Sequence, residues 1–232
     1  NSTKIRLLLD VLCTPAGYVA IDIAKEPLLR SAITLRAAYP ALEVLPVCAD
    51  YTGDFMLPSP AKPVACRIAY FPGSTIGNFD PVQARCFLQR IAKVCEGGGL
   101  LIGVDLKKDF NVLHRAYNDA QGVTAQFNLH LLERINRELD AGFQLDRFSH
   151  YAFYNPGQSR IEMHLVSLVR QVVPVGGSQV AFEQGESIWT ESSYKYTLEE
   201  FACLAAQAGF VVERVWTDPH HWFSVQFLRV LS

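Results

Sequence analysis

The amino-acid sequence predicts an α/β protein in which a doubly wound, mostly parallel sheet is interrupted by an inserted α+β region. Three observations carry this prediction. Apolar strands alternate with helical patterns in residues 1–106, hairpin-like strands dominate the later part of residues 107–196, and a helix followed by two strands closes the chain in residues 197–232. Uninterrupted apolar strands separated by helices are typical of a parallel sheet covered on both faces. With 232 residues, half of them apolar, the chain is long enough for such a core.

The first predicted element is a helix over residues 3–14, which follows Asn1 and Ser2, residues typical of a helix cap. Because no strand precedes this cap, we expect the sequence to lack a segment upstream of Asn1. The elements expected next are strands over residues 17–23, 42–48, 65–71 and 100–106 and helices over residues 25–38 and 80–95. Ligands of doubly wound proteins bind at the carboxyl ends of such strands.

Residues 107–196 form the predicted insertion. Residues 107–147 have a mostly helical and polar pattern, and the turn Asn155-Pro156-Gly157 then predicts an antiparallel pair of strands. The strands expected in this region cover residues 150–154, 161–170, 172–182 and 186–196. An insertion beyond the carboxyl end of a sheet strand is where a lid over a substrate would lie.

The closing segment begins with a capping box. Thr197 and Glu200 have the spacing of this motif and predict a helix that runs to Ala208. Strands are expected after it over residues 211–216 and 223–231. The loop between these strands is too short for a parallel crossover, so the last strand is predicted to be antiparallel.

Composition argues against several kinds of partner. The net charge is −2 and there is no basic run, so we expect no nucleic acid. The apolar stretches are much shorter than the ~20 residues of a membrane helix, and no signal peptide opens the sequence. The six cysteines include no C-x-x-C pair, and we expect reduced core residues of a cytoplasmic protein. His220 and His221, beside Asp218, cannot easily face one ion, so we expect no metal.

Two acids stand at the ends of neighbouring predicted strands. Asp22 ends the first strand, and in doubly wound domains an acid at this position accepts the ribose hydroxyls of a nucleotide cofactor. Asp50 follows the second strand and could bond an adenine amino group, with Tyr51 packed on the ring. Each acid could equally be a loop or helix-capping residue, so the sequence alone leaves both interpretations open.

The segment Phe-Pro-Gly-Ser-Thr-Ile-Gly-Asn-Phe over residues 71–79 is the most informative loop. Its two glycines allow the backbone to approach a ligand closely. Asn78 offers both a carbonyl acceptor and an amide donor. A simple turn does not need so many small residues, which favours a functional loop.

A series of motifs runs in order along essentially the whole chain. They are the 71–79 segment, Gly103-Val-Asp-Leu, Ala116-Tyr-Asn-Asp-Ala with Gly122-Val-Thr-Ala, Arg160-Ile-Glu-Met, Glu191-Ser-Ser-Tyr-Lys-Tyr and Trp216-Thr-Asp-Pro. Together they resemble the bacterial histidine Nα-methyltransferase family of ergothioneine biosynthesis, which uses S-adenosylmethionine (SAM). The resemblance implies a class I SAM-dependent methyltransferase fold, Rossmann-like, with an antiparallel last strand.

In domain terms, the resemblance implies a SAM-binding core in residues 1–106 and 197–232 and a substrate-binding domain in residues 107–196. It also implies that the first sheet strand, the Gly-rich cofactor loop and part of the substrate domain precede Asn1. The implied reaction places three methyl groups in turn on the α-amino nitrogen of histidine and gives hercynine.

The resemblance also implies roles for individual residues. The SAM-binding positions are Lys4, Asp22, Asp50 and Tyr51. The positions that hold the α-amino and carboxylate end of the substrate, and that we assign to catalysis, are Asn78 and Tyr117. The positions that bind the imidazole are Glu191 and Ser193, and those that form pocket walls are Phe127 and Met163.

The chemistry of the imidazole pair agrees with this assignment. Glu191 and Ser193 are two residues apart on a predicted strand, so their side chains project from the same face. An acceptor beside a hydroxyl suits a ring with two nitrogens, one of which is a donor. Without the resemblance, a solvated strand face is the simpler interpretation. Tyr117 would then be a surface aromatic residue and Met163 core filler.

Three alternatives stay open at this point. A relative that acts on another aromatic amino acid or amine would need few changes in the pocket. A nicotinamide-dependent oxidoreductase could also use Asp22, although the closing hairpin and the lack of an acid–base pair count against it. A non-catalytic SAM-binding homologue would bind the cofactor without turnover. The sequence shows no decisive base for the substrate amine, and we expect a monomer or weak oligomer.

Overall fold

A computed structural model of the protein describes residues 3–53 and 55–231. The cap predicted at Asn1 and Ser2 lies outside these residues. The chain divides into two compact units. Their boundaries are Asn1–Ile68 with Val94–Gly98 for the first and Ala69–Lys93 with Gly99–Ser232 for the second.

The helices in the described residues are α1 (Thr3–Leu9), α2 (Lys25–Ala38), α3 (Pro81–Val94), α4 (Phe110–Tyr117), α5 (Val123–Leu139) and α6 (Leu198–Gln207). The strands are β1 (Tyr18–Asp22), β2 (Val44–Cys48), β3 (Ile68–Phe71), β4 (Gly99–Asp105), β5 (Phe148–Asn155), β6 (Arg160–Ser167), β7 (Gln171–Val175), β8 (Ser178–Phe182), β9 (Ser187–Tyr194), β10 (Phe210–Thr217) and β11 (Phe223–Val230). Short 3-10 helices cover Thr75–Asn78 and Leu145–Arg147.

In the first unit, β1 and β2 pair in parallel, with Asp22 opposite Cys48 at their carboxyl ends. The helix α2 has the predicted bounds, and its buried residues Leu28, Ala32 and Leu35 recur at the spacing of one helix face. The helix α1 is shorter than predicted, because it ends at Leu9 instead of residue 14. After Leu9 the Val11 N–H bonds to the Leu8 carbonyl in a tighter turn, and Pro15 disfavours helical conformation at Thr14, the predicted last residue.

The sheet of the second unit has the strand order β10-β11-β4-β3. The last strand, β11, is antiparallel to both of its neighbours, β10 and β4, which confirms the predicted closing hairpin. The helix α6 begins at the predicted capping box, in which the Thr197 hydroxyl accepts from the Glu200 N–H and the Glu200 carboxylate accepts from the Thr197 N–H. The parallel pair β1–β2 forms a separate hydrogen-bonded sheet in the first unit.

The inserted region contains an antiparallel sheet of order β5-β6-β9 and a separate hairpin, β7–β8. The β character predicted over residues 172–182 is confirmed, and Gly176 and Gly177, which have positive φ, turn this segment into that hairpin. The helices α4 and α5 cover one face of the sheet. Their buried contacts are Leu113 with Ala152, Ile161 and Met163, and Leu132 with Phe143, Phe148 and Leu165.

A bulge interrupts the pairing of β6 with β9. Met163 lies opposite Glu191 and His164 lies opposite Trp189, so Thr190 is an extra residue in β9. The Thr190 hydroxyl donates to the Met163 carbonyl at 3.0 Å. Side chains alternate between the two faces of a strand, and the extra residue reverses that alternation. Glu191 therefore shares a face with Met163, whereas Trp189 lies on the opposite face with His164.

The cysteines occupy different positions from those expected. None of the six forms a disulfide, but only Cys95 is buried, so the expectation of core cysteines is wrong for the other five. Cys86 in α3 and Cys203 in α6 lie within apolar sequence but off the buried helix face. No helix among the described residues has both the length and the apolar character needed to cross a bilayer.

Candidate active site

The second unit contains a cavity of about 520 Å³. The predicted substrate residues that line it are Asn78, Tyr117, Phe127, Glu191 and Ser193. The remaining lining residues are Gly73, Ser74, Thr75, Asp105, Lys195 and Phe223. Met163 does not line the cavity, because it is buried in the core against which Tyr117 packs.

The 71–79 loop reaches the cavity because glycine residues let backbones approach closely. A Cβ on Gly103 would lie 2.2 Å from the Pro72 carbonyl oxygen, so β4 and the start of the loop pack without a side chain between them. A Cβ on Gly77 would lie 2.7 Å from the Tyr194 carbonyl oxygen. The 3-10 helix therefore packs directly against β9, and Asn78 follows at its end.

Local hydrogen bonds fix the position of Tyr117 at the end of α4. The next residue, Asn118, donates to the Ala152 carbonyl at 2.9 Å and accepts from the Ala152 N–H at 3.2 Å. The Tyr117 carbonyl lies 2.8 Å from Nε2 of His150. These contacts attach the helix end to β5, so the Tyr117 ring is held over the sheet rather than on the solvated surface.

Several other motif residues have local structural roles. The Asp119 carboxylate accepts from the N–H groups of Thr124 at 2.8 Å and Val123 at 2.9 Å, which lowers the pKa of Asp119 to about 2. Gly122 supplies the positive φ at the start of α5. In the Trp216-Thr-Asp-Pro motif, the Asp218 carboxylate accepts from the N–H groups of Trp222 and Phe223. This turn holds Phe223 where it lines the cavity.

Glu191 and Ser193 come to the cavity from β9, as their spacing predicts. The bulge at Thr190 turns Glu191 to the inner face, and the Ser193 side chain is buried on the same face. Burial raises the pKa of the Glu191 carboxyl, and the charge of Lys195 opposes that rise. Phe127, on α5, contributes a largely exposed ring to the opening.

Lys195 is the principal residue that the sequence prediction missed. Its ammonium group is fully buried and pairs with Asp105 Oδ2 at 2.7 Å. It also donates to the Ser193 hydroxyl at 2.7 Å and to the Tyr117 hydroxyl at 2.8 Å. The Tyr117 hydroxyl in turn donates to Ser193 Oγ at 2.9 Å. Two predicted substrate residues are thus joined to a buried ion pair.

The sequence contains a signal for Lys195. Lys195 follows Glu191 and Ser193 at the same two-residue spacing, and it belongs to the motif Glu191-Ser-Ser-Tyr-Lys-Tyr. Asp105 belongs to the motif Gly103-Val-Asp-Leu at the end of β4, and it also pairs with Lys108. That Asp105 and Lys195 meet could not be read from the sequence, because β4 and β9 are far apart along the chain.

The predicted cofactor residues belong to the first unit. Asp22 and Asp50 are both exposed; Asp22 is the last residue of β1, and Asp50 lies two residues after the adjacent strand β2. Burial raises the pKa of the half-buried Tyr51, and the charges of Asp50 and Asp22 raise it further. Exposed carboxylates at a strand end beside a half-buried aromatic ring fit the ribose and adenine of SAM. Lys4 lies on the exposed side of α1.

His220 and His221 lie in the turn between β10 and β11. His220 stacks on Trp222 at 4.9 Å, and Asp218 accepts from the His220 N–H. Within residues 3–53 and 55–231, no group of three or more histidine, cysteine or acidic side chains could hold a metal ion.

The fold and the site together define a class I SAM-dependent methyltransferase. Its marks are the α/β core with an antiparallel last strand, the acids after β1 and β2, and a small polar cavity in the unit that carries the inserted sheet. A family model of SAM-dependent, histidine-specific methyltransferases matches residues 1–230, and the chain belongs to this family. The resemblance inferred from the motifs is therefore confirmed, and the oxidoreductase alternative is excluded.

Curated relatives agree with the family assignment. The histidine N-alpha-methyltransferase of Mycolicibacterium smegmatis is 38% identical over 225 residues, which are 94% of this chain and 69% of that protein. The protein of the same name from Mycobacterium tuberculosis is 39% identical over 225 residues, with the same shares. Ergothioneine biosynthesis protein 1 of Neurospora crassa is 27% identical over 236 residues, which are 94% of this chain and 25% of that protein.

Proposed function

We propose that this protein transfers three methyl groups from SAM to the α-amino nitrogen of L-histidine and produces hercynine, a step of ergothioneine biosynthesis. The observation that carries the proposal is the arrangement of Glu191 and Ser193 with Asn78 and Tyr117 around one cavity. Family membership and the names of the relatives support the same substrate.

In this proposal, the imidazole ring lies against β9. The Glu191 carboxylate accepts from the ring N–H, and the Ser193 hydroxyl donates to the other ring nitrogen. Asn78 and Tyr117 bind the α-amino and carboxylate end. Phe127 covers the opening, and Met163 supports the pocket from the core beneath.

The proposed cofactor contacts are those of the first unit. Asp22 accepts the ribose hydroxyls, Asp50 bonds the adenine amino group, Tyr51 packs on the ring, and Lys4 completes the set. When bound, SAM supplies an electrophilic methyl group. No metal takes part in this proposal.

The task of the protein's own residues is to hold an unprotonated amine in line with the methyl group. The amino group of histidine is largely protonated at neutral pH, so the nitrogen must lose a proton before each transfer. We propose that Asn78 and Tyr117 orient the nitrogen and that its proton passes to water, assisted by the Tyr117 hydroxyl. The third transfer gives a quaternary nitrogen that carries no proton, which ends the series.

The proposal extends to the state of the protein in the cell. We infer a cytoplasmic monomer or weak oligomer that acts on a small molecule and binds neither nucleic acid nor membrane. The free thiols and the net charge of −2 support this inference. Light scattering coupled to size-exclusion chromatography tests the oligomeric state, and a stable higher oligomer would contradict it.

Mass spectrometry of reactions with SAM tests the substrate. L-Histidine should gain one, two and then three methyl groups, whereas L-tryptophan, the main competitor, should gain none at equal concentration. The variant Glu191→Ala should weaken histidine binding by roughly ten- to a hundredfold, because it leaves the ring N–H without an acceptor. Its affinity for SAM should be unchanged. Equal losses for both ligands, or methylation of tryptophan alone, would contradict the assignment.

A further inference from the structure

Lys195 is a buried residue in the wall of the cavity that holds the proposed imidazole site, and nothing in the proposed reaction requires a lysine there. Its exposed fraction is 1%, and its ammonium group has one partner for each of its three protons: Asp105, Ser193 and Tyr117. A buried ammonium is costly unless it is paired and hydrogen-bonded, and this one is fully satisfied. These three contacts fix the orientation of the ammonium group.

An ammonium group can only donate hydrogen bonds, so it imposes a direction on its neighbours. The Ser193 oxygen accepts from Lys195 and from the Tyr117 hydroxyl, which occupies both of its lone pairs. With the bond directed from Tyr117 to Ser193, the Ser193 proton points to a third partner. Because Ser193 lines the cavity, that partner is the occupant of the cavity.

We propose that Lys195, anchored by Asp105, is a positioning residue that makes Ser193 an obligate hydrogen-bond donor towards the substrate ring. This inference rests on the proposed function. With Glu191 as acceptor and Ser193 as donor, the site complements a neutral imidazole, which has one N–H and one acceptor nitrogen. It rejects rings that lack the acceptor nitrogen, because the Ser193 proton would then be buried without a partner.

The indole ring shows how this selection works. Indole has one N–H donor and no acceptor nitrogen. It could satisfy Glu191 but would face the Ser193 proton with carbon. If the Ser193 hydroxyl were free to rotate, indole binding would lose little free energy, because the proton could turn to another acceptor. A serine whose lone pairs are both occupied cannot turn its proton away. Lys195 thereby makes the Ser193 donor selective for rings that have an acceptor nitrogen.

A double-mutant cycle tests this proposal in the full chain. The four proteins are the parent, Lys195→Met, Ser193→Ala and the double variant, and isothermal titration measures the dissociation constant of L-histidine with S-adenosylhomocysteine bound. We expect Lys195→Met to weaken binding by roughly ten- to a hundredfold when Ser193 is present and by less than about threefold when it is alanine. In turnover assays, the loss should fall mainly on KM.

Equal costs of Lys195→Met in the two backgrounds would overturn the proposal, because Lys195 would then act without Ser193. The matched control is Lys107→Met, which removes a partly exposed lysine that lies just after β4 and pairs with Glu200, and it should leave histidine binding unchanged. A similar loss in this control would also count against a specific role for Lys195.

A measurement on the unmutated protein covers the case in which Lys195→Met does not fold. Nitrogen NMR of ring-labelled histidine at pH 7 should show one protonated and one accepting ring nitrogen in the bound state. A bound ring protonated on both nitrogens would overturn the proposal. Failure of the parent to bind histidine would overturn the proposed function as well, whereas binding without coupling would overturn only the role of Lys195.

Discussion

At the scale of single residues, the Glu191 carboxylate is a charged group at a position where folding disfavours charge. Glu191 lies half-buried on the inner face of β9, and burial raises the pKa of its carboxyl despite the opposing charge of Lys195. A raised carboxyl pKa means that the folded state favours the protonated form. The ionised carboxylate that histidine binding requires is therefore a cost to stability at neutral pH.

The variant Glu191→Gln should be more stable than the parent at pH 7, because it removes a carboxylate whose ionised form is disfavoured by folding. The difference should shrink as the pH falls through the raised pKa of Glu191 towards the usual value of about 4.3, since the parent then becomes protonated. Thermal unfolding of both proteins between pH 4 and 8 measures this. A parent that is more stable than the variant at pH 7 would contradict the assignment of burial as the main cause of the pKa shift.

At the scale of elements, the 3-10 helix after β3 depends on one missing side chain. In Gly77→Ala, the new Cβ would lie 2.7 Å from the Tyr194 carbonyl oxygen, so the turn and β9 must move apart. Asn78 follows directly, and we expect histidine affinity to fall by at least about tenfold, with SAM affinity little changed. Calorimetry with each ligand tests this expectation.

The control for that prediction is Gly157→Ala. This glycine lies in the turn between β5 and β6, and its nearest contact to a new Cβ is at 3.5 Å. The substitution should leave histidine binding unchanged. If both alanine variants lost the same affinity, the close approach at Gly77 would not be the cause.

The sequence predicted most elements because their signals are local. The box at Thr197 and Glu200 uses contacts within one helix turn, and the closing hairpin follows from a short loop, so both are readable from neighbouring residues. Asn78, Glu191 and Ser193 were identified through motifs, and the structure brings them to one cavity. The bulge at Thr190 has no local signal, because it exists only relative to β6.

The presence of a residue in a motif does not show which role its side chain has in the folded protein. Asn118 and Asp119 lie in the same motif as Tyr117, yet their side chains hold α4 and α5 in place. Met163 was expected at the pocket wall and is instead a buried residue behind it. These roles depend on which side chains meet after folding, and contacts between distant segments decide that.

At the scale of the whole molecule, the thiols give a test of the packing. A disulfide-exchange reagent under native conditions should modify five cysteines readily, whereas Cys95, which is 1% exposed, should react only after unfolding. Counting modified thiols over time with and without denaturant measures the difference. In Cys95→Ser, the slow phase should disappear, and equal rates for all six thiols in the parent would contradict the described burial.

The extra residue in β9 has a consequence for how such a sequence can diverge. Exchanging one side chain for another in this strand alters a single contact. Closing the bulge with every residue kept would instead place Thr190 opposite His164 and put the Trp189 and Glu191 side chains on the same face. A carboxylate would then leave the cavity, or an indole would enter the core. Descendants of this protein can therefore acquire new substrates through point substitutions in β9 only while Glu191 keeps its place opposite Met163, which at the present strand length requires the bulge at Thr190.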